Sequence, residues 1–205
     1  MHDTLASPDH ERLFQVASEQ SGYFTTAQAR ECGISPSLLA YHAGEGRRFL
    51  RIRRGLYRLR HYPASPREDL LAAWLAAGAQ SAVISHESAL ELFDLSDVVP
   101  DAVHITVPRA KRYRPPMAGV QLHTTTRELR PSDVVVRDGM RVTSPVRSIF
   151  DAAEAGTSPE HVIAAVTQAL GRGLATRPQL LVAAAERGGR VERLVSNALT
   201  QPSTS

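Results

Sequence analysis

Apolar residues recur at helical spacing in the first part of the chain. Leu13, Val16 and Ala17 fall on one face of a segment that follows Ser7-Pro8 and ends at Gly22. A cap residue before a proline is a helix start signal, and glycine is a frequent helix end. The pattern predicts a first amphipathic helix between these two signals.

Two more short helices follow. Thr25 and Gln28 are spaced as a capping box for the second helix, and Gly33 stands where a left-handed residue ends it. Ser35-Pro36 then caps a third helix that runs to about Ala43. The tight spacing of the second and third helices is typical of a helix-turn-helix.

The pattern next changes from helical spacing to alternation. Leu50-Arg51-Ile52-Arg53 alternates apolar and basic residues, and Arg54-Gly55 is a turn signal. Residues 56–60 are the predicted second strand of the hairpin. The alternation predicts that Leu50 and Ile52 face inward and that Arg51 and Arg53 face outward. Three helices followed by a hairpin are the order of a winged helix-turn-helix.

Beyond the linker at residues 61–64, strands and helices are mixed. Ser65 and Glu68 form a predicted capping box, and Val134–Val142 reads as a hairpin around Asp138-Gly139. Further strands are predicted at residues 82–84, 103–107 and 120–123, and further helices after Ser85, Ser144, Thr157 and Thr176. We therefore predict an α+β protein: a winged helix-turn-helix domain over residues 1–62 and a mixed α/β domain over residues 65–205.

Positive charge is concentrated in the predicted hairpin. The chain of 205 residues has a net charge of only +3, yet residues 47–60 hold seven arginines and no acid. Arginines that neutralise phosphates supply most non-specific DNA affinity. The predicted DNA-binding residues are Ser37, Tyr41 and His42 of the third helix and Arg47, Arg48, Arg51, Arg53, Arg54, Arg58 and Arg60. The alternative is a solvated hairpin in a winged helix that binds protein.

A second basic cluster lies in the other half of the chain. It consists of Arg109, Lys111, Arg112 and Arg114 and is followed by Pro115-Pro116. Such a loop could bind an acidic protein surface, extend a DNA footprint or remain solvated, and the sequence leaves these three alternatives open.

Three groups of residues are candidates for a reactive or metal-binding site. Residues 85–88, Ser-His-Glu-Ser, are adjacent and do not face one another on a helix, so Ser85 is interpreted as a helix cap. His104 and His123 could be neighbours on paired strands, but no third ligand is indicated. Arg147 and Asp151 have the spacing of a helix-supporting ion pair. We predict no catalytic residue, no metal site and no cofactor.

The absence of long apolar segments and the single cysteine narrow the class of protein. No apolar run reaches the length of a membrane span, and the polar N-terminus does not have the pattern of a signal peptide. Cys32 alone excludes an internal disulfide. We expect a cytoplasmic protein that does not associate with a membrane.

The chain resembles the AbiEi-type antitoxins of type IV toxin–antitoxin pairs. The phrases GYFTTAQAR and RRGLYRL match their winged helix, and VISHESALELFDL, VHITVPRAKRYR and VTSPVRSIFDAAE match their C-terminal domain. The resemblance extends from about Glu11 to Arg193. It implies a winged helix that binds inverted repeats of its own promoter and represses the operon. It also implies a C-terminal domain that counteracts a nucleotidyltransferase-like toxin, for which Arg109, Lys111, Arg112 and Arg114 are the candidate contacts.

The sequence leaves two other functions of the C-terminal domain open. The C-terminal domain could be an enzyme, such as an atypical phosphotransferase that modifies the toxin, although no phosphate-binding glycine loop is present. It could also sense a ligand for a plain transcription factor. A homodimer is expected on an inverted repeat, and a monomer on each repeat is the other arrangement.

Overall fold

The computed structural model describes residues 7–112, 116–126 and 128–200. The chain divides into two compact units, residues 1–79 and residues 80–205, called here the first and the second unit. Each has its own sheet.

The first unit is a winged helix-turn-helix. Its sheet is antiparallel with strand order β1-β3-β2, and the hairpin of β2 and β3 is the wing. The elements are α1 (His10–Ser18), β1 (Tyr23–Thr25), α2 (Thr26–Glu31), α3 (Pro36–His42), β2 (Phe49–Arg53), β3 (Leu56–Leu59) and α4 (Glu68–Ala77).

Helix caps set the ends of α2 and α3. The Thr25 hydroxyl accepts from the Gln28 backbone N–H at 3.2 Å, and the Gln28 side chain accepts from the Thr25 N–H at 2.8 Å. Ser35 accepts from the Leu38 N–H at 3.2 Å, and Gly33 has φ +73°. These predicted caps are confirmed. Helix α1 begins slightly later than predicted, because Asp9 is its cap and accepts from the Arg12 N–H.

An aromatic cluster fills the core beneath the wing. The Phe24 ring packs edge-on against Phe49 at 4.9 Å between centroids and is stacked with Tyr57 at 5.8 Å. The predicted inward positions were therefore wrong: Leu50 is half-buried and Ile52 is exposed. The larger Phe49, one residue earlier, fills the core. Because side chains alternate between the two faces of a strand, Leu50 then points to the other face. A bulge between Arg51 and Arg53 disturbs the remaining register.

Helix α4 belongs to the first unit. It packs against β1 and β3, and its Glu68 accepts from Arg58 of β3 at 3.0 Å. The division between units therefore falls at residues 79–80, later than the boundary predicted at residues 62–65. The capping box predicted for Ser65 and Glu68 is half formed. The Glu68 carboxylate accepts from the Ser65 N–H at 3.4 Å, but the Ser65 hydroxyl has no partner among the described residues. Helix α4 begins only at Glu68, after Arg67 in a left-handed conformation.

The second unit is a five-stranded mixed sheet with helices. The strand order is β6-β5-β4-β8-β7; β4 runs antiparallel to β5 and parallel to β8, and β5 runs parallel to β6. The elements are β4 (Val83–Ile84), α5 (His86–Leu92), β5 (Val103–Pro108), β6 (Val120–Thr125), β7 (Val134–Arg137), β8 (Met140–Thr143), α6 (Pro145–Ala155), α7 (Pro159–Gly171), α8 (Arg177–Arg187) and α9 (Gly189–Thr200).

Most of the predicted turns and caps of this unit are confirmed. Asp138 and Gly139 both have positive φ, as a two-residue loop between β7 and β8 requires. Ser144 caps α6, and Thr176 forms a capping box at the start of α8. There are two exceptions. The side chain of Ser85 caps no backbone N–H of α5, and α7 starts one residue later than the box predicted at Thr157, whose hydroxyl instead donates to Glu87 at 2.7 Å.

The protein is thus α+β, with a winged helix-turn-helix followed by a mixed α/β domain, as predicted. Among the described residues, no helix has both the length and the apolar character that crossing a membrane requires.

The aromatic core predicts the effect of two phenylalanine substitutions. Phe24→Ala removes a fully buried ring and should lower the free energy of unfolding of the first unit by about 3–5 kcal/mol. Phe14→Ala, on a ring that is 56% exposed, should change it by less than about 0.5 kcal/mol. The only tryptophan, Trp74, lies buried in α4, so its fluorescence in urea follows this unit. Equal losses in both variants would contradict the core as described.

Candidate functional site

The wing and the loop before it carry a group of solvent-facing arginines. Arg47, Arg48, Arg51 and Arg54 are exposed and Arg53 is half-buried. The side chains of Arg48, Arg51, Arg53 and Arg54 form no ion pair or hydrogen bond within the described parts of the chain. We call Arg47, Arg48, Arg51, Arg53 and Arg54 together the arginine surface. Its charge is available to an external anion.

Contacts fix the loop from which part of this surface projects. The Arg60 guanidinium donates from Nε to the Arg47 carbonyl, and its backbone N–H donates to the Arg48 carbonyl at 2.9 Å. The Arg47 guanidinium lies 3.5 Å from the centre of the Tyr41 ring. Arg60 therefore acts on the shape of the loop, and Arg47 connects the loop to α3.

The three residues of α3 that were predicted to bind DNA differ in their exposure. Tyr41 is 59% exposed and Ser37 is exposed, with its hydroxyl 3.0 Å from that of Ser35. His42 is half-buried, because its ring packs against Phe49 at 5.4 Å and against His10 at 5.4 Å. Burial lowers the pKa of His42, which favours the neutral ring. Ser37 and Tyr41 are therefore better placed than His42 to meet a ligand.

Arg58 differs from its predicted role. Its side chain is only 12% exposed; it pairs with Glu68 at 3.0 Å, and it donates to the Pro63 carbonyl at 3.0 Å. It also lies over the Tyr23 ring at 5.3 Å. These contacts commit its guanidinium to holding the linker and α4 against β3, so it is not part of the arginine surface.

The second basic cluster is partly held by its own contacts. Lys111 donates to the Ser81 hydroxyl, and Arg112 donates to the Arg109 carbonyl at 3.3 Å. Arg109 is exposed. Arg114 lies outside the described residues. Of the described members, Arg109 has the greatest freedom to meet a partner.

Three histidines of the second unit lie together, and we call them the histidine cluster. His86 begins α5, His104 lies on β5 and His123 on β6. The rings of His86 and His123 are stacked with centroids 3.5 Å apart, and His123 Nε2 lies 3.1 Å from His104 Nδ1. Burial lowers the pKa of all three histidines, to about 2 for His86 and about 4 for His123. Neighbouring histidine rings lower the pKa of His86 and of His123 further. The cluster is neutral near pH 7.

Backbone geometry brings Ser85 and His86 into contact, contrary to the prediction for adjacent residues. Ser85 is extended and His86 has φ +53°, a left-handed value that is uncommon outside glycine. As a result Ser85 Oγ lies 2.8 Å from His86 Nδ1 and accepts from the Thr106 hydroxyl at 2.8 Å. Ser85 stands at the cap position of α5, but its side chain caps no backbone N–H. The hydroxyl supports the histidine cluster instead.

A network of ion pairs lies beside the cluster. Arg147 Nε donates to Asp151 Oδ1 at 2.7 Å, and Arg187 reaches the same oxygen at 3.4 Å and also pairs with Glu154. The predicted pair of Arg147 and Asp151 is confirmed, but it is not a surface pair, because Asp151 is buried. Burial raises the pKa of Asp151 against the opposing effect of the two arginines.

The network, together with His86 and His123 of the cluster, lines one cleft of about 750 Å³, called here the polar cleft. Asp133 at its edge accepts from the Arg130 backbone N–H at 3.0 Å and from its guanidinium at 3.2 Å. Burial opposes ionisation of Asp133, but the contacts with Arg130 and the charge of Arg147 outweigh it and lower its pKa. The charged residues of the lining are Arg130, Arg147, Arg187, Glu128, Asp133, Asp151, Glu154 and Glu186, so the carboxylates outnumber the arginines.

His104 and His123 were predicted as possible neighbours on paired strands, and the parallel pairing of β5 and β6 confirms this. His86 was not predicted as a third member of the cluster, and its backbone is left-handed. Arg187 and Asp133 were likewise not predicted as members of the network around Arg147. No spacing rule relates these residues, since they come from separate elements.

These features define a winged helix-turn-helix domain with an arginine surface, joined to an α+β domain with a polar cleft. Residues 11–60 match a protein family described as a transcriptional regulator, AbiEi antitoxin. The family resemblance is thereby confirmed for the residues that run from α1 into the end of the wing. In fold, the chain is similar to the RV2827C protein from Mycobacterium tuberculosis, with a TM-score of 0.61 at 15% identity over 92% of this chain and 75% of that one. No curated protein matches the sequence.

The buried carboxylate predicts a large loss of stability on neutralisation. Asp151→Asn leaves Arg147 and Arg187 facing an amide, and it should destabilise the protein by about 3 kcal/mol, as for other broken buried pairs. Glu154→Gln is the matched control, since Glu154 is half-exposed; it should cost less than about 1 kcal/mol. Thermal unfolding followed by circular dichroism compares the two. A cost for Asp151→Asn no larger than the control would show that the network does not stabilise the fold.

Proposed function

We propose that this protein is a DNA-binding autorepressor and the antitoxin of a type IV pair. One observation carries the DNA-binding part: the arginine surface is exposed on a winged helix whose residues 11–60 match a family of antitoxin regulators. The first unit binds the promoter, and the second unit counteracts the toxin. The coarser statement, a transcriptional regulator of the AbiEi type, is what the family match supports directly.

Charge and placement suggest how the first unit contacts DNA. Arg48, Arg51, Arg53 and Arg54 pair with no acid among the described residues, so their charge can replace the counterions of phosphates. The helix α3 presents Ser37 and Tyr41, which offer little hydrogen-bonding capacity toward base edges. We therefore propose binding dominated by phosphate contacts with modest base readout. An inverted-repeat operator would pair two copies of the chain by symmetry.

For the second unit, we propose that it acts on a nucleotidyltransferase-like toxin by direct contact. The exposed Arg109, together with Lys111 and Arg112, offers positive charge to an acidic surface of such a partner. Because the arginine surface belongs to the other unit, regulation and neutralisation should be separable.

Alanine substitution of the wing tests the DNA-binding proposal. Arg51→Ala, Arg53→Ala and Arg54→Ala combined should weaken binding to duplexes of any sequence and reduce the salt slope by roughly one per arginine. Binding is measured by fluorescence anisotropy at several salt concentrations, with a duplex from upstream of the gene and an unrelated duplex. The control combines Arg12→Ala and Arg30→Ala, two exposed arginines of α1 and α2. An unchanged slope in the wing variant would show that the wing does not touch phosphate.

Growth rescue tests the antitoxin proposal. An adjacent nucleotidyltransferase-like gene is the expected toxin, and it would be induced together with the full chain or with the triple wing variant. Both should restore growth, because neutralisation is assigned to the second unit. Failure of both soluble proteins to restore growth would contradict the antitoxin role, while DNA binding would remain independently testable.

A further inference from the structure

The histidine cluster has the composition of a metal site. Its three imidazoles come from α5, β5 and β6, and each offers one ring nitrogen within 4.8 Å of those of the others. We propose that His86, His104 and His123 bind one divalent transition-metal ion of the zinc class, with the fourth position open to the polar cleft. Three protein ligands and one exchangeable position are typical of zinc sites that are not purely structural.

The spacing of two of the histidines already fits such an ion. His123 Nε2 and His104 Nδ1 lie 3.1 Å apart. Two nitrogens that bind a tetrahedral zinc ion at about 2.0–2.1 Å are separated by about 3.3–3.4 Å. These two nitrogens are hydrogen-bonded in the free protein, so a small displacement lets both reach one ion once the shared proton has moved to the other nitrogen of its ring.

The third ligand requires a rotation. The His86 ring is stacked on that of His123 with an angle of 17° between the planes, so the two rings face each other and do not share a common centre in their planes. Metal binding turns the His86 ring out of this stack so that Nε2 meets the ion. Ser85 Oγ, 2.8 Å from Nδ1, can hold the other nitrogen during this change, as outer-shell groups commonly do for histidine ligands.

His104 also carries a buried nitrogen without a partner in the described parts of the chain. His104 is only 6% exposed, and its Nε2 is buried without a hydrogen-bond partner among the residues that the structure describes. A buried polar nitrogen of this kind is costly. When Nδ1 binds the ion, Nε2 carries the proton of the ring and stays in this apolar position, so the unsatisfied nitrogen marks a strained polar cluster and is not itself the ligand.

The surroundings favour a cation over an anion. Arg130, Arg147 and Arg187, which could otherwise bind a phosphate in the polar cleft, are already paired with carboxylates. The carboxylates of the lining outnumber these arginines. Neutral imidazole without thiolate is a donor set suited to Zn²⁺ and to Co²⁺ as its spectroscopic substitute.

The test uses the full chain without an affinity tag, freed of metal by a chelator. Zn²⁺ affinity is measured by calorimetry in competition with a chelator, and Co²⁺ is added separately to record its visible absorption. We expect one ion per chain and a Co²⁺ spectrum typical of a tetrahedral site. His123→Gln removes a ligand and should weaken Zn²⁺ binding by more than about 100-fold, and Ser85→Ala should weaken it by about 10-fold as an outer-shell change.

The matched control is His161→Gln, a histidine of the same unit that contacts Ser96 instead of the cluster. It should bind Zn²⁺ as the unchanged protein does. Circular dichroism checks that each variant is folded, and His86→Gln replaces His123→Gln if the latter is not. Absence of a tetrahedral Co²⁺ spectrum in the unchanged protein would overturn the proposal without any variant. Equal Zn²⁺ affinity in His123→Gln would overturn it as well, leaving a neutral, hydrogen-bonded histidine cluster.

Discussion

A guanidinium group that leaves water must keep its charge, because arginine does not give up its proton in a protein. It therefore needs carboxylates or carbonyls wherever it is buried. This constraint separates the arginines of the chain into two groups. Arg58, Arg147 and Arg187 have partly buried side chains, and each is paired with an acid. Arg48, Arg51 and Arg54 remain in water without such a partner among the described residues. Structural and ligand-binding roles follow from this difference.

The same reasoning applies to the histidines of the second unit. An imidazole can become neutral on burial, so His86, His104 and His123 pack together where three guanidinium groups could not. The left-handed backbone of His86 and the pairing of β5 with β6 bring the rings together. Local strain of this type is often found at functional sites. A strained residue, an unsatisfied buried nitrogen and an adjoining polar cleft thus occur in one place.

Local signals predicted much of the fold. The capping box at Thr25, the Ser144 cap and the turn at Asp138 depend on neighbouring residues alone, so they could be recognised in the sequence. Helix α4 was predicted to follow the domain boundary, but it packs against β1 and β3, and these contacts involve residues far away in the chain. The inward position of Phe49 was missed because the choice between strand faces depends on the tertiary core.

The predicted site residues show the same division. A run of arginines is visible in a sequence, but whether one of them meets an internal acid is not. The pairing of Arg58 with Glu68 was not foreseen for that reason. The third member of the histidine cluster could not be found, since a left-handed conformation at His86 has no sequence signature of its own. Contacts between separate elements could therefore be identified only in the structure.

The account rests on the claim that the arginine surface is the part of the protein that meets DNA. The most direct measurement is an NMR titration of the full chain with duplex DNA, observing the Nε–Hε signals of individual arginines. The account predicts that the signals of Arg51, Arg53 and Arg54 shift and that of Arg58, paired with Glu68, stays unchanged. Shifts confined to Arg109 and Arg112, with none on the wing, would contradict it.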